Sequence, residues 1–260
     1  MNALEAALLG LVQGLSEFLP ISSSGHLVMA QWFLGVPAPG VVVEVVLHVA
    51  TLLSVAVVYR RRLADLAAGL ARREPEAWRY AGLLALASVP AAVVGLGFED
   101  ALERAFDAPA ITGAMLLVTG AVLWSTAARS GGDSPIDASR ALAMGVAQAF
   151  AILPGISRSG TTIAAGLWGR VDAERAAEFS FLMSMPAVAG AALLKTPEIG
   201  RSVGGAQGLA LGAGFVVALV SGVVAIRSLL WLVRRRAFHT FAYYVWPAGL
   251  LFLLALWVRG

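Results

Sequence analysis

Residues 10–26, GLVQGLSEFLPISSSGH, return in altered form as residues 145–161, GVAQAFAILPGISRSGT. A shift of 135 superposes Gly10 on Gly145, Gln13 on Gln148, Ser22 on Ser157, Ser24 on Ser159 and Gly25 on Gly160, while Pro20 and Pro154 slip by one position. Glu44, 18 residues after His26, is echoed by Glu178, 18 residues after Gly160. Each copy lacks what the other has: Glu17 and His26 stand in the first, Arg158 in the second. A chain built on this repeat has to bring its halves together to assemble an acid, a base, a cation and several hydroxyls, the parts of a site that handles phosphate.

The medium around these polar loops is apolar. Hydrophobic residues make up 59% of the chain and charged residues 13%, with a mean hydropathy of +0.80, where a soluble domain carries about 25% charged residues. The composition is that of an integral membrane protein. The basic balance (pI near 9.8) does not argue for nucleic acid, because the cations sit in short loops between apolar runs, which is a topology signal. No cysteine is present, so disulfide and thiolate chemistry are excluded. The first residues lack a basic stretch and include Glu5, which reads against a cleavable signal peptide.

A spanning helix takes about 20 mostly apolar residues. Six segments qualify, roughly 41–59, 78–97, 110–128, 176–194, 207–231 and 241–258. Two further stretches, 3–34 and 138–169, are each broken in the middle by the Pro/Ser/Gly motif. They read as helical hairpins that enter the membrane and turn back, since irregular backbone at membrane depth survives only when shielded by protein or lining a wet cavity. The expected fold is all-α: one membrane domain over 1–260, six transmembrane helices and two re-entrant hairpins.

Arginines orient it. Arg60, Arg61, Arg62, Arg72, Arg73, Arg79, Arg129, Arg140, Arg170, Arg175, Arg227, Arg234, Arg235 and Arg236 fall in one set of loops, 14 of the 19 Lys and Arg residues. The alternate loops hold only Arg104, Lys195, Arg201 and Arg259, and Arg158 lies in the core. With the rich set inside, hairpin 3–34 enters from outside and hairpin 138–169 from inside. Each half, about 1–130 and about 135–260, is then one hairpin plus three spans. Three is odd, so the second half lies upside down, an inverted-topology repeat whose site is expected near the midplane.

Gln13 and Glu17 are four residues apart and share a helix face. An acid in an apolar chain is costly and reads as functional, here as a metal ligand or as a holder of a catalytic group. Ser22, Ser23, Ser24 and Gly25 precede His26; at least one of these serines is an ordinary helix cap, while the helix N-terminus offers free N–H groups to an anion, so Ser22, Ser24 and Gly25 are also read as binding substrate phosphate. A His in the first turn of the following helix stays neutral, which suits a general base or a nucleophile. In PGISRSGTT, Pro154–Thr162, an arginine within a Ser/Gly/Thr loop at a helix start has the anatomy of a phosphate site. The guanidinium fork would take two oxygens, and Ser157, Ser159, Gly160 and Thr162 the rest. The structural alternative has Arg158 merely pairing Glu17 or Glu178. No Lys follows the glycines, so this is not a nucleotide-binding loop. Glu44, His48 and Glu178 either line the site from behind or pin helices.

Together these residues resemble the undecaprenyl-diphosphate phosphatase family of bacteria, the bacitracin-resistance type. The resemblance rests on GLVQGLSEFLPISSSGH, the Glu44 helix, PGISRSGTT and EFSFLMSMP from Glu178, in the right order across the chain. It implies removal of the terminal phosphate from a C55 polyprenyl diphosphate, a divalent metal such as Mg2+ or Ca2+, and a site facing the periplasm in the inner membrane. It places the acidic motif on Gln13 and Glu17, the serine–histidine pair on Ser23 and His26, and the arginine motif on Ser157, Arg158, Ser159 and Thr162. Gln13 stands where a second carboxylate is common, so the metal has one acid fewer. Expected partners are the lipid substrate and the bilayer, with no nucleic acid, and a homodimer is one assembly open to such a chain. The competing class is a lipid transporter or flippase that uses Glu17, Arg158 and His26 to bind and couple. Whether Ser23, His26 or a water attacks phosphorus is open at this level.

Overall fold

The computed structural model describes residues 1–34, 41–129, 131–202 and 205–259. Among the described residues the chain is helical throughout, apart from one isolated bridge between Ser134 and Val171. The helices are α1 (Ala3–Phe18), α2 (Ser23–Leu34), α3 (Val41–Val58), α4 (Arg60–Ala71), α5 (Pro75–Gly97), α6 (Glu99–Phe106), α7 (Pro109–Trp124), α8 (Ala138–Phe150), α9 (Arg158–Trp168), α10 (Ala173–Ser202), α11 (Gly205–Arg234) and α12 (Ala242–Arg259), with a 3-10 turn at Phe238–Phe241 before the last. The side chains of Lys195 and Arg201, counted on the cation-poor side, lie outside the described residues.

All six apolar segments are helical, in α3, α5, α7, α10, α11 and α12. Three helices are long and apolar enough to cross a membrane, at Pro75–Gly97, Gly208–Arg234 and Phe238–Arg259. The number is five if α3 with α4 (bent by 78°) and α6 with α7 (bent by 90°) each count as one broken span. The bends correct the sequence reading, which treated 60–79 and 98–108 as loops. α4 and α6 are short helices with apolar residues on one face only, so a search for apolar runs passes over them. Leu96, Leu209 and Trp257 are 76%, 78% and 81% exposed on the outside of the bundle, which a soluble protein would not sustain over so wide a surface.

The stretches 3–34 and 138–169 each break where expected, between α1 and α2 and between α8 and α9. α1 packs along α11, and α8 packs along α5. Equivalent glycines permit both approaches. A Cβ at Gly10 would collide with the Gly214 carbonyl, and one at Gly145 with the Ala87 carbonyl. The core gathers where α1, α7, α9, α10 and α11 meet: Phe18, Leu116, Ile163, Phe181 and Ile226 are buried there, with Phe18 and Phe181 edge to face at 5.5 Å.

Helix starts use ordinary chemistry. Asn2 and Glu5 form a reciprocal capping box at α1. Asp137 caps α8 by accepting the Arg140 N–H at 2.9 Å, and that bond holds its carboxyl below the usual range. Three helix ends are less ordinary. Arg73, Arg170 and Arg236 have φ of 58°, 60° and 56°. At the end of α11, Arg236 N–H donates to Val233 O at 3.0 Å and Ala237 N–H to Leu232 O at 3.0 Å; the same pair of bonds closes α4 after Arg73 and α9 after Arg170. This is the Schellman arrangement, in which glycine normally holds the left-handed position. A side chain there costs about 1 kcal/mol, partly offset by placing a cation at the negative helix terminus.

Candidate active site

Two loop tips build the site. In the first, Ser22 adopts φ 69° and its hydroxyl accepts the Gly25 N–H at 3.1 Å. In the second, the Ser157 hydroxyl accepts the Gly160 N–H at 3.1 Å. The repeat extends to the next contact, since Ser22–Ser24 and Ser157–Ser159 hydroxyls both lie 3.3 Å apart. The tips touch. The Ser159 hydroxyl donates to Leu19 O at 3.3 Å, and a Cβ at Gly25 would come within 3.1 Å of the Gly155 Cα. The tips that carry the N-termini of α2 and α9, each a positive dipole end, are thereby brought into contact.

Glu17 is the hub. Its Oε1 accepts Arg158 Nη2 at 2.7 Å. Its Oε2 accepts the Ser23 hydroxyl at 2.9 Å and Gln13 Nε2 at 3.1 Å. His48 Nε2 lies 3.9 Å from Oε2 and 3.4 Å from Gln13 Nε2. The Glu17 and Arg158 side chains are only 9% and 17% exposed, so neither charge is well solvated without the other. Arg158 Nη1 is buried and has no partner among the described residues. A buried guanidinium N–H left unsatisfied is costly.

His26 faces elsewhere. Its Nδ1 lies 2.8 Å from Ser22 O, which can only accept, so Nδ1 carries the proton. Nε2 is then the acceptor for the Tyr244 hydroxyl at 2.7 Å, and the two rings stack at 5.6 Å. Both nitrogens are engaged, and neither bonds Ser23 or Glu17 among the described residues. Of the residues expected to line the site from behind, His48 stands at the hub. Glu44 contributes its carbonyl to His48 Nδ1 at 2.8 Å. Glu178 does not reach the hub; its carboxylate takes Arg62 at 2.9 Å and Tyr80 at 3.4 Å. Nor does the Thr162 hydroxyl serve an anion, being committed to Arg158 O at 2.7 Å and to Ser180 at 2.6 Å. Four residues after Arg158, it meets the carbonyl of its own helix.

One organising residue carries no signal in either motif. The buried Thr119 hydroxyl on α7 donates to Gly155 O at 2.7 Å and accepts Ser157 N–H at 3.0 Å. It fastens both sides of the second tip, where Gly155 takes φ 95° and a Cβ would collide with Thr112 O.

Among the described residues no group of three His, Asp or Glu side chains could hold an ion, and both Glu17 oxygens already accept hydrogen bonds.

The family model for bacitracin resistance protein BacA matches residues 6–251. The chain is 46% identical over 259 residues to an undecaprenyl-diphosphatase of Syntrophotalea carbinolica, covering 97% of this chain and 98% of that one. It is 43% identical to an undecaprenyl-diphosphatase of Salinibacter ruber, over 94% and 96% of the two chains. With the repeat, the loop tips and the full-length matches in hand, the chain belongs to the bacitracin resistance protein BacA family.

Proposed function

We propose that the chain is an undecaprenyl-diphosphate phosphatase, hydrolysing C55 polyprenyl diphosphate to the monophosphate carrier lipid and inorganic phosphate, and so giving bacitracin resistance. The observation that carries the reading is the shared Glu17 carboxylate, with the Ser23 hydroxyl on one oxygen and Arg158 on the other. A hydroxyl bonded to a carboxylate is a nucleophile beside its base. Ser23 Oγ attacks the terminal phosphorus as its proton passes to Glu17. The bond to the bridging oxygen breaks and the polyprenyl monophosphate leaves. Glu17 passes that proton to the departing monophosphate and is free to take one from water, which cleaves the phosphoserine; phosphate leaves and the proton on Glu17 returns to Ser23 Oγ. Arg158 Nη1 and the ends of α2 and α9 bind the phosphoryl oxygens, whose charge dominates the energetics of such transfers. Ser22, Ser24, Gly25, Ser157, Ser159 and Gly160 hold the tips in place.

His26 is assigned to orienting the first tip through Ser22 O and Tyr244. Glu17 and Gln13 are the residues that would hold a divalent metal, which would supply charge neutralisation at the diphosphate; no step here depends on it. Six spans with two re-entrant hairpins remain our reading of the membrane topology, supported by the six apolar helices and two interrupted stretches. The inverted repeat, with halves near 1–130 and 135–260, is supported by the exchanged packing of α1 on α11 and α8 on α5. The Arg distribution supports a site opening outward in a bacterial inner membrane. A homodimer stays open, and the transport reading draws no support from the family.

Incubation of purified protein with polyprenyl diphosphate labelled at the terminal phosphate tests the mechanism. Label should be trapped on Ser23 by rapid acid quench and be absent from Ser23→Ala, which should release no phosphate. Phosphate release by Ser23→Ala at the wild-type rate would overturn it.

A further inference from the structure

α2 and α12 both rest on α7, and a row of rings joins them to each other. Near the start of both helices, the Tyr244 hydroxyl donates to His26 Nε2 at 2.7 Å and the two rings stack at 5.6 Å. Farther along, Phe252 meets Trp32 at 5.7 Å and Phe33 at 5.9 Å. At the far end the Arg259 guanidinium lies 4.7 Å over the Trp32 ring, a cation and an indole of the kind that mark a membrane–water boundary. The order of these contacts shows that the two helices run in parallel. They meet through side chains rather than through close-packed backbone.

This seam begins at the phosphoryl site. His26 follows Ser23 by three residues, roughly 4.5 Å along the axis of α2, a spacing that puts the two side chains next to each other on the helix surface. On its other side the same ring pair meets the bilayer, because Tyr244 is 50% exposed and Phe33 49%. α12 is also built to yield here. Pro247, between the Tyr244 and Phe252 contacts, lies inside the helix and removes one of its hydrogen bonds. Other walls of the site are close-packed: α1 lies on α11 and α3, α3 on α10, and α9 on α8 and α10.

A polyprenyl diphosphate makes two demands on its site. The diphosphate has to reach Ser23 and Arg158, and the hydrocarbon chain has to stay out of water. The chain therefore crosses the protein wall close to the depth of Ser23. At the seam that wall consists of rings, which can turn about their side-chain bonds while the helices stay packed on α7. Resting on the phosphatase reading above, we propose that the polyprenyl chain of the substrate leaves the site between α2 and α12. The His26–Tyr244 pair parts to admit it, and the isoprene units next to the diphosphate lie against the exposed rings of Tyr244 and Phe33, whose faces suit branched hydrocarbon.

The test uses the full-length protein in nanodiscs and a polyprenyl methylenediphosphonate, which resists hydrolysis, carrying a diazirine on the isoprene units nearest phosphorus. Irradiation should label the segments His26–Phe33 and Tyr244–Phe252, and excess C55 polyprenyl diphosphate should suppress the label. A second measurement uses Ala30→Cys/Ala248→Cys, positions one turn beyond His26 and Tyr244 on the same helix faces, in a chain that has no other thiol. Joining the pair with a short reducible crosslinker should slow hydrolysis of the C55 diphosphate on the order of ten-fold or more relative to the same variant before crosslinking, and reduction should restore it. Label on other helices, or full turnover of the C55 diphosphate by the crosslinked protein, would overturn the seam and leave the phosphatase reading standing. Label on α2 and α12 without any hydrolysis of the C55 diphosphate by wild type would overturn the phosphatase reading and keep the seam as a polyprenyl-binding surface.

Discussion

The Glu17 carboxylate and the Arg158 guanidinium, 141 positions apart in the chain, meet at 2.7 Å inside the bundle. Each comes from a different copy of the repeated motif, so neither half is a catalyst alone. The pair also splits the duties of the acid, with one oxygen accepting from Arg158 and the other from the Ser23 hydroxyl.

Glu17→Gln should lower kcat by about a hundred-fold or more, the usual scale for a lost general base. The amide keeps the size but cannot take the Ser23 proton, and it leaves Arg158 without a counter-charge. The Km for the lipid should change little, because the phosphate-binding N–H groups remain. Steady-state kinetics on the purified variant check this; a loss confined to Km would remove Glu17 from the role of base.

Arg158→Lys retains the charge but loses the planar fork. One nitrogen cannot hold Glu17 and also present a second N–H to phosphate. Turnover should drop on the order of a thousand-fold, the scale seen when a transition-state arginine is absent. Near-normal turnover would reassign Arg158 to structure.

His26→Gln should retain activity within about ten-fold of wild type, since the imidazole is occupied by Ser22 O and Tyr244 rather than by Ser23. Tyr244→Phe should give a similar, smaller loss. A dead His26→Gln enzyme together with label trapped on histidine would return His26 to the role of nucleophile.

Thr119→Val is nearly isosteric and strands two buried backbone groups, the Gly155 carbonyl and the Ser157 N–H. Each unsatisfied group costs about 1–3 kcal/mol. The melting temperature should fall measurably, with activity falling further because the second tip carries Arg158. An unchanged melting curve would remove Thr119 from the fastening of that tip.

Orientation can be read on intact cells because the chain has no cysteine. Single cysteines at positions 100 and 133 should be labelled by an impermeant maleimide from opposite sides, position 100 from outside. Labelling from the same side would refute the arrangement derived from the arginines.

Much of this was legible in the sequence, for definite reasons. A serine cap at the first tip was legible because serines before a helix commonly cap it, though which of Ser22, Ser23 and Ser24 serves was not, nor was Ser157 as the cap of α9; Gln13 with Glu17 follows from the helical period. The break points of both hairpins follow from Pro, Gly and Ser interrupting apolar runs. What escaped notice lacks local grammar. Thr119 is an ordinary threonine in an apolar helix, and only the fold puts Gly155 and Ser157 on either side of it. Tyr244 lies 218 positions from His26. Glu178 echoes Glu44 with a slip of one position, yet it turns to Arg62, which α4 brings to it by folding back at the end of α3.

Arg73, Arg170 and Arg236 stop three helices in a backbone shape that glycine would hold more easily, and they also belong to the cations that decide which way the chain faces. Punctuation and address are written in the same letters. Glycine in any of the three would relax the turn while subtracting from the charge that orients the protein, and lysine would keep the charge while retaining the strain. Only the glycine drift loses something, so at these turns the easier backbone residue is opposed by the charge count from which the orientation is read.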